Sequence, residues 1–253
     1  MIYAIIQARM GSSRLKGKVL MPIGSRAVIQ HIVDRLKLSV RIDRICVATS
    51  ISEQDDILHE YCRNNGIPCF RGSENDVLAR YYEAAVDCGA KNGDHIVRIT
   101  GDCPFIDPEI CDKVVELALG TDADYVSNGL EITFPNGVDC EVFRFETLVK
   151  MHLEAKYRFE REHVTQYAIR NPDKIDVKSL TSPQNYGSER WTLDNPEDYE
   201  FLCHVYDGIG EEYFSMAEII SYLDKNPELR KINSHIRRNE GLLKSIREEG
   251  LIE

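Results

Sequence analysis

Short apolar runs rich in β-branched residues recur along this chain with helical stretches between them, and that alternation limits the fold more than any other feature. IYAIIQA (2–8), RICVATS (44–50) and HIVRITG (95–101) each read as strands, the first as one buried on both faces. RAVIQHIVDRLKL (26–38) has helical spacing instead, with Val28, Ile29, Ile32, Val33 and Leu36 on one side. SEQDDILHEYCRNNG (52–66) predicts a helix capped by Ser52 and closed by Gly66, and SENDVLARYYEAAVDCG (73–89) a helix ending at Gly89. IPCF (67–70) and DYVSN (124–128) are shorter strands. In DCPFIDPEICDKVVELAL, Asp107 caps a helix and Pro108 fits its first position. Strands and helices alternating at this spacing imply an α/β fold with a mostly parallel sheet and right-handed crossovers.

The second half is less regular. CEVFR (140–144), DVKSL (176–180) and WTLD (191–194) predict strands, and helices are expected at 145–157, 160–170, 196–207 and 215–225. No linker, repeat or low-complexity tract interrupts the chain, so one domain over 1–253 is expected. The charged tail, 233–253, predicts a solvated terminal helix.

Charge separates the function classes. The chain carries 31 basic and 42 acidic residues, a net −11, which argues against a protein that coats nucleic acid. Its eight cysteines form no CxxC pair and no zinc spacing. Their placement in apolar runs, as for Cys46 and Cys203, predicts reduced, buried thiols and a cytoplasmic location. The first residues lack the pattern of a signal peptide. No apolar run approaches the about 20 residues that span a bilayer.

Against that acidic background, QARMGSSRLKGKVL (7–20) concentrates Arg9, Arg14, Lys16 and Lys18 around Gly11-Ser12-Ser13, directly after the first strand. Ligands of parallel α/β sheets bind at the carboxyl ends of strands. Gly11 and the serines permit close backbone approach, and the cations add charge-assisted hydrogen bonds. The loop therefore reads as a cradle for a compact anion, best a nucleoside triphosphate. It is not a P-loop: five residues separate Gly11 from Gly17, and Val19 stands where a hydroxyl residue should follow Lys18.

A triphosphate requires a divalent cation, usually Mg²⁺ on one or two carboxylates. Asp102 in ITGDCP follows a strong strand, and it either binds that metal or starts a turn before Pro104. Asp194 in WTLDNPED either binds it or enters a helix. In CFRGSENDVLARYYEA, Arg71 could meet a base or ribose, while Asp76 and Arg80 either serve the site or form an i, i+4 surface pair. Asp122-Ala-Asp124 makes a D-x-D, but it precedes an apolar run rather than following one and reads as a surface turn.

Taken together, QARMGSSRLKGKVL, FRGSENDVLARYYEA, ITGDCPFIDP, REHVTQY, WTLDNPED and RRNEGLLKS resemble the spore-coat polysaccharide protein F-like cytidylyltransferases, relatives of the enzymes that make CMP-Kdo and CMP-sialic acids. The resemblance covers nearly the whole chain. It implies a Rossmann-like nucleotidyltransferase fold, CTP as substrate and Mg²⁺ as cofactor. It divides the chain into a nucleotide-binding half (about 1–127), an irregular α+β acceptor and dimerisation region (about 128–232) and the tail. It assigns triphosphate binding to Arg9, Ser12, Ser13, Arg14 and Lys18, adds Gln7, Ala8, Gly11, Arg71 and Asp76 to the nucleotide contacts, and gives the metal to Asp102 and Asp194. Lys18, Arg14, Asp102 and Asp194 form the implied catalytic set. Lys16 departs from the family, where many members have proline. The implied reaction moves CMP to a small acidic acceptor, such as a nonulosonic or ulosonic acid, with release of pyrophosphate. Alternatives are a phosphorylated small acid or sugar phosphate as acceptor, or a glycosyltransferase of similar fold. Arg158, Arg161 and Arg190, with Glu162, His163 and Gln166, are candidates for the acceptor pocket. Neither nucleic acid nor membrane is an expected partner; a homodimer is compatible with the extended second half.

Overall fold

The computed structural model describes residues 1–210 and 213–250. Among these residues the chain runs β1 (Ile2–Gln7), a hairpin of β2 (Pro22–Ile23) and β3 (Arg26–Ala27), α1 (Val28–Leu36), β4 (Arg44–Ser50), α2 (Asp56–Asn64), β5 (Cys69–Gly72), α3 (Val77–Asp87), β6 (His95–Thr100), α4 (Pro108–Leu119) and β7 (Tyr125–Ser127). It continues through β8 (Glu141–Arg144), α5 (Phe145–Glu154), α6 (Arg158–Glu162), α7 (Gln166–Arg170), β9 (Val177–Ser179), α8 (Pro196–Ile209), α9 (Met216–Lys225) and α10 (Glu240–Glu248).

The three strongest apolar runs lie side by side. β1 is central, parallel to β4 on one flank and to β6 on the other, so that Ile5 faces both Cys46 and Arg98. The full order is β5-β4-β1-β6-β8-β7-β9. β8 alone breaks the parallel pattern: it runs antiparallel to both β6 and β7. Alternation along β1 sends Ile2, Ala4 and Ile6 into one core layer with α1, α4, α8 and α9. Tyr3 and Ile5 enter the other, with α3 and α5. Burial on both faces is what its unbroken apolar character required.

Several expectations need correction. Residues 160–170 are two short helices, because Val164 is buried with φ 52, a left-handed conformation costly for a β-branched residue. WTLD is no strand; only Arg190 bridges, to Asn136, and the extended segment beyond it carries the fully buried Trp191. The helix expected at 145–157 stops at Glu154, and the segment at 26–38 begins as β3. Ser52 makes no side-chain cap, whereas Asp107 accepts from Glu109 and Ile110 as expected. Asp124 serves the sheet, exchanging backbone and side-chain hydrogen bonds with Asp176 next to the β7–β9 pair. All eight cysteines are free, but Cys203, on α8, is only half-buried, as are Cys69 and Cys88. No helix of the described residues is long and apolar enough to cross a membrane. The tail helix spans 240–248, and 251–253 lie outside the described residues.

Two glycines bring distant segments together. A Cβ on Gly101 would sit 2.8 Å from the Gln7 carbonyl oxygen, so only glycine lets the end of β6 close on the end of β1. Gly137 has φ +117, and a Cβ there would lie 2.5 Å from the Trp191 carbonyl carbon. Next to it, Trp191 N–H donates to Asn136 O at 2.6 Å, which fixes the segment leading to Asp194. Gly137→Ala should therefore lose about 2–4 kcal/mol of stability through strain and overpacking. An unchanged denaturation midpoint would show that this contact is dispensable.

Candidate active site

At the carboxyl ends of β1 and β6 opens a cavity of about 1000 Å³. The loop after β1 forms one wall, and buried Asp55 anchors it by accepting from Met10 N–H at 2.6 Å. Met10 O in turn accepts from Ser12 and Gly17, and the Ser12 hydroxyl accepts from Leu15 N–H. The loop is thus held in shape by its own short-range bonds, with Arg9, Ser12, Ser13, Arg14 and Lys18 all facing the cavity.

Lys18 is the centre of the site. Its ammonium donates to Asp102 Oδ2 at 3.0 Å, Asp194 Oδ1 at 2.8 Å and Leu193 O at 2.7 Å, which uses all three of its protons. Burial disfavours the charge, but the two carboxylates outweigh it and raise the Lys18 pKa. Asp102 is likewise penalised by burial, yet Lys18 and the Thr100 hydroxyl hold its carboxyl down at about 2. Leu193 N–H donates to Asp102 O at 2.8 Å, so the two aspartate segments are joined through backbone as well as through the ammonium.

Asp194 is positioned by a second, deeper pair. Arg190 forks Asp198 with two bonds of 2.8 Å, and Asp198 also accepts from the N–H groups of Asp194 and Asn195. Burial raises the Asp198 carboxyl, but Arg190 outweighs it and the net shift is downward. Arg14 reaches Asp194 Oδ1 at 2.8 Å and Glu240 at 3.1 Å. The cations suited to phosphate and the carboxylates suited to metal therefore neutralise one another.

The structure brings Gln7, Ala8, Arg9, Ser12, Ser13, Arg14, Lys18, Asp102 and Asp194 to one cavity, together with Arg158, Glu162, His163 and Gln166. It does not bring Gly11, Lys16, Arg71 or Asp76 there. Arg71 binds the Ser50 and Ser52 carbonyls and pairs with Asp56. Asp76 caps α3 and pairs with Arg161 rather than with Arg80. Arg161 and Arg190 are thereby committed to internal carboxylates.

Arg98, outside the sequence-based set, and Arg80, left open there between the site and a surface pair with Asp76, also line the cavity. Arg80 is buried and gives Nη1 to Ser73 O, while its Nε finds no partner. Arg98 pairs with Glu141 at 2.6 Å and donates to Gln7 Oε1 at 3.1 Å. A charged residue inside the apolar run HIVRIT was the available signal for Arg98; nothing in the pattern marked Arg80 beyond its possible partner on the helix. Arg238, Glu240 and Ser245 of the tail complete the wall.

Two carboxylates converging on one cation are a donor set that suits Mg²⁺, which takes hard oxygen ligands and leaves several positions to phosphate and water. Among the described residues no third His, Cys, Asp or Glu joins them. The Lys18 ammonium marks where positive charge is accepted.

The comparisons with known proteins agree with this geometry. A family model described as cytidylyltransferase matches residues 3–235. The chain is 37% identical over 240 residues to the spore coat polysaccharide biosynthesis protein SpsF of Bacillus subtilis, covering 90% of this chain and 95% of that one. It is 36% identical over 254 residues to the mitochondrial 3-deoxy-manno-octulosonate cytidylyltransferase of Arabidopsis thaliana, covering 93% and 83%. A solved cytidylyltransferase from Leptospira borgpetersenii superposes with TM-score 0.85 at 34% identity, covering 90% of this chain and 96% of that one. This chain belongs to the cytidylyltransferase family, and its mixed, mostly parallel sheet flanked by helices is the nucleotidyltransferase fold.

Among the depressed carboxylates, Asp102 and Asp198 of the site make stability pH-dependent. A folded pKa below the unfolded one contributes stability that is present above the ordinary carboxylate range and lost as pH falls through the folded value. The thermal midpoint should begin to fall below pH about 6.5, where His31, His95 and His163, held neutral by burial, must charge, and fall further toward pH about 2 as the carboxylates protonate. Asp198→Ala should cost about 3–5 kcal/mol at neutral pH by stranding the Arg190 guanidinium and flatten the acid side of that profile. A profile identical to the parent's would remove Asp198 from this role. Lys18→Met tests the metal-holding pair without any turnover: two unscreened carboxylates should lower the thermal midpoint, and millimolar Mg²⁺ should raise it more than it raises the parent's. Equal Mg²⁺ responses would count against Asp102 and Asp194 as a metal pair.

Proposed function

We propose that this cytidylyltransferase transfers CMP from CTP to a small acidic acceptor, a sugar acid of the ulosonic or nonulosonic kind, with Mg²⁺ as cofactor and pyrophosphate as the leaving group. The observation that carries the reading is the convergence of Lys18, Asp102 and Asp194 beneath a loop bearing Arg9, Ser12, Ser13 and Arg14. The names of the relatives support the acceptor class: one acts on 3-deoxy-manno-octulosonate, and another serves polysaccharide biosynthesis.

In the reaction an acceptor oxygen attacks the α-phosphorus of CTP. The new phosphorus–oxygen bond forms as the bond to the bridging oxygen of pyrophosphate breaks, and pyrophosphate leaves with that electron pair. An acceptor hydroxyl gives up its proton to water; an acceptor phosphate dianion has none to lose. Catalysis of this kind rests on positioning and on neutralising charge. Lys18 and Arg14 exchange their carboxylate partners for phosphate oxygens and stabilise the departing pyrophosphate. Asp102 and Asp194, freed of Lys18, would hold the metal. Mg²⁺, when bound, supplies Lewis-acid neutralisation of the phosphate oxygens. Gln7 and Ala8, at and just past the end of β1, line the cavity beside the loop, and Arg158, which has no carboxylate partner among the described residues, is placed for an acidic acceptor.

A pyrophosphate-release screen of CTP against the other triphosphates, crossed with sugar acids and phosphorylated acids, should give product with CTP and a sugar acid. Lys18→Ala and Asp102→Asn should each lower kcat/KM by about 100-fold or more, the scale for removing a charge stabiliser from a transition state. Near-parental rates in either variant would sink the assigned roles. Release of a nucleotide diphosphate in place of pyrophosphate would instead establish a glycosyltransferase.

A further inference from the structure

Helix α10 lies across the mouth of the cavity, yet it has no buried residue of its own. Polar contacts hold it there, with Leu242, Leu243 and Ile246 only half-buried beneath it. Glu240, its first residue, pairs with Arg14 at 3.1 Å. Ser245 is bonded to His163 Nε2 at 3.1 Å and to Glu162 at 3.2 Å. Just upstream, Arg238 pairs with Asp139 and donates to Phe134 O. An element attached in this way opens at low free-energy cost compared with one that buries an apolar face.

The Arg14 guanidinium is shared between Asp194, at the centre of the site, and Glu240, on the tail. Of the carboxylates in that network, Asp102 and Asp194 have a replacement cation when substrate binds, since the metal arrives with the triphosphate. Glu240 has none. It does not join the two aspartates in a three-carboxylate group among the described residues. Once phosphate oxygens occupy Arg14, Glu240 is left facing like charge across the same cavity.

We infer that Glu240 is a latch that competes with the triphosphate for Arg14, and that nucleotide binding releases α10 from the cavity mouth. The inference rests on the triphosphate site proposed above. Release clears the wall formed by Lys244, Ser245 and Glu248, which lines the same cavity as Arg158, Glu162 and His163. The nucleotide therefore enters first and opens the way for the acceptor. Glu240 acts through Arg14 and not on the reacting atoms, so it is a positioning residue.

The test is equilibrium binding of Mg²⁺-CTP and of inorganic tripolyphosphate to the full-length protein, Glu240→Gln, Arg14→Ala and the double variant. Removing the latch should tighten both ligands about 3- to 10-fold, from the lost ion pair and the lost repulsion. In the Arg14→Ala background the same substitution should have much less effect. Hydrogen exchange of the α10 amides, 240–248, should speed up in the parent when Mg²⁺-CTP binds. Weaker binding by Glu240→Gln, equal gains with and without Arg14, or slower α10 exchange with nucleotide would each overturn the latch while leaving the CTP site in place. Failure of the parent to bind either ligand would overturn both.

Discussion

A single ammonium group organises this molecule's working end. Lys18 sits between Asp102 and Asp194 with every proton committed, although the two aspartates lie far apart in the chain. Neither carboxylate could stay charged and enclosed beside the other without a cation between them. The lysine thus permits the apo site to exist at all, and the same geometry prepares it for exchange. In the function proposed above, a triphosphate with its metal would offer each member a stronger partner of the correct sign. Lys18 is already largely withdrawn from water, so that part of the desolvation cost is met within the fold.

Around that centre the scaffold spends residues on holding rather than on contact. The Arg190–Asp198 fork fixes the backbone of Asp194, and Asp55 fixes the loop that carries Lys18. The missing Cβ of Gly101 allows β6 to deliver Asp102 against β1. Each of these groups is buried or tightly packed, so the site is built on fixed elements while its substrate-facing cations remain accessible. Arg9 and Arg158 line the cavity without a carboxylate partner among the described residues.

Much of this was legible in the sequence because it depends on local pattern. The apolar runs at β1, β4 and β6 admit one arrangement, and a cationic loop after the first of them falls at the ligand-binding edge. Asp102 and Asp194 could be named but not decided between metal and turn, since that choice depends on what meets them from another part of the chain. Long-range pairing was also what hid the rest. Arg161 and Arg190 looked like anion receptors, yet Asp76 and Asp198 claim them; Arg71 is taken by two carbonyls and Asp56. Arg98 and Glu141 meet only because β8 inserts beside β6. The break at Val164 opposes the helical spacing around it, so packing overrode propensity there.

The insertion of β8 also sets an order of assembly. β4, β1 and β6 pair among themselves, so a growing chain contains every strand of that parallel set by the time residue 100 has emerged. β7 is made next but touches β8 and β9 rather than β6, and must wait for segments still to be synthesised. Lys18 can meet Asp102 in that first stage, whereas Asp194 arrives only after the second has closed. A ribosome-bound chain therefore carries half of its ion network well before it carries a site, and catalytic competence is among the last properties it acquires.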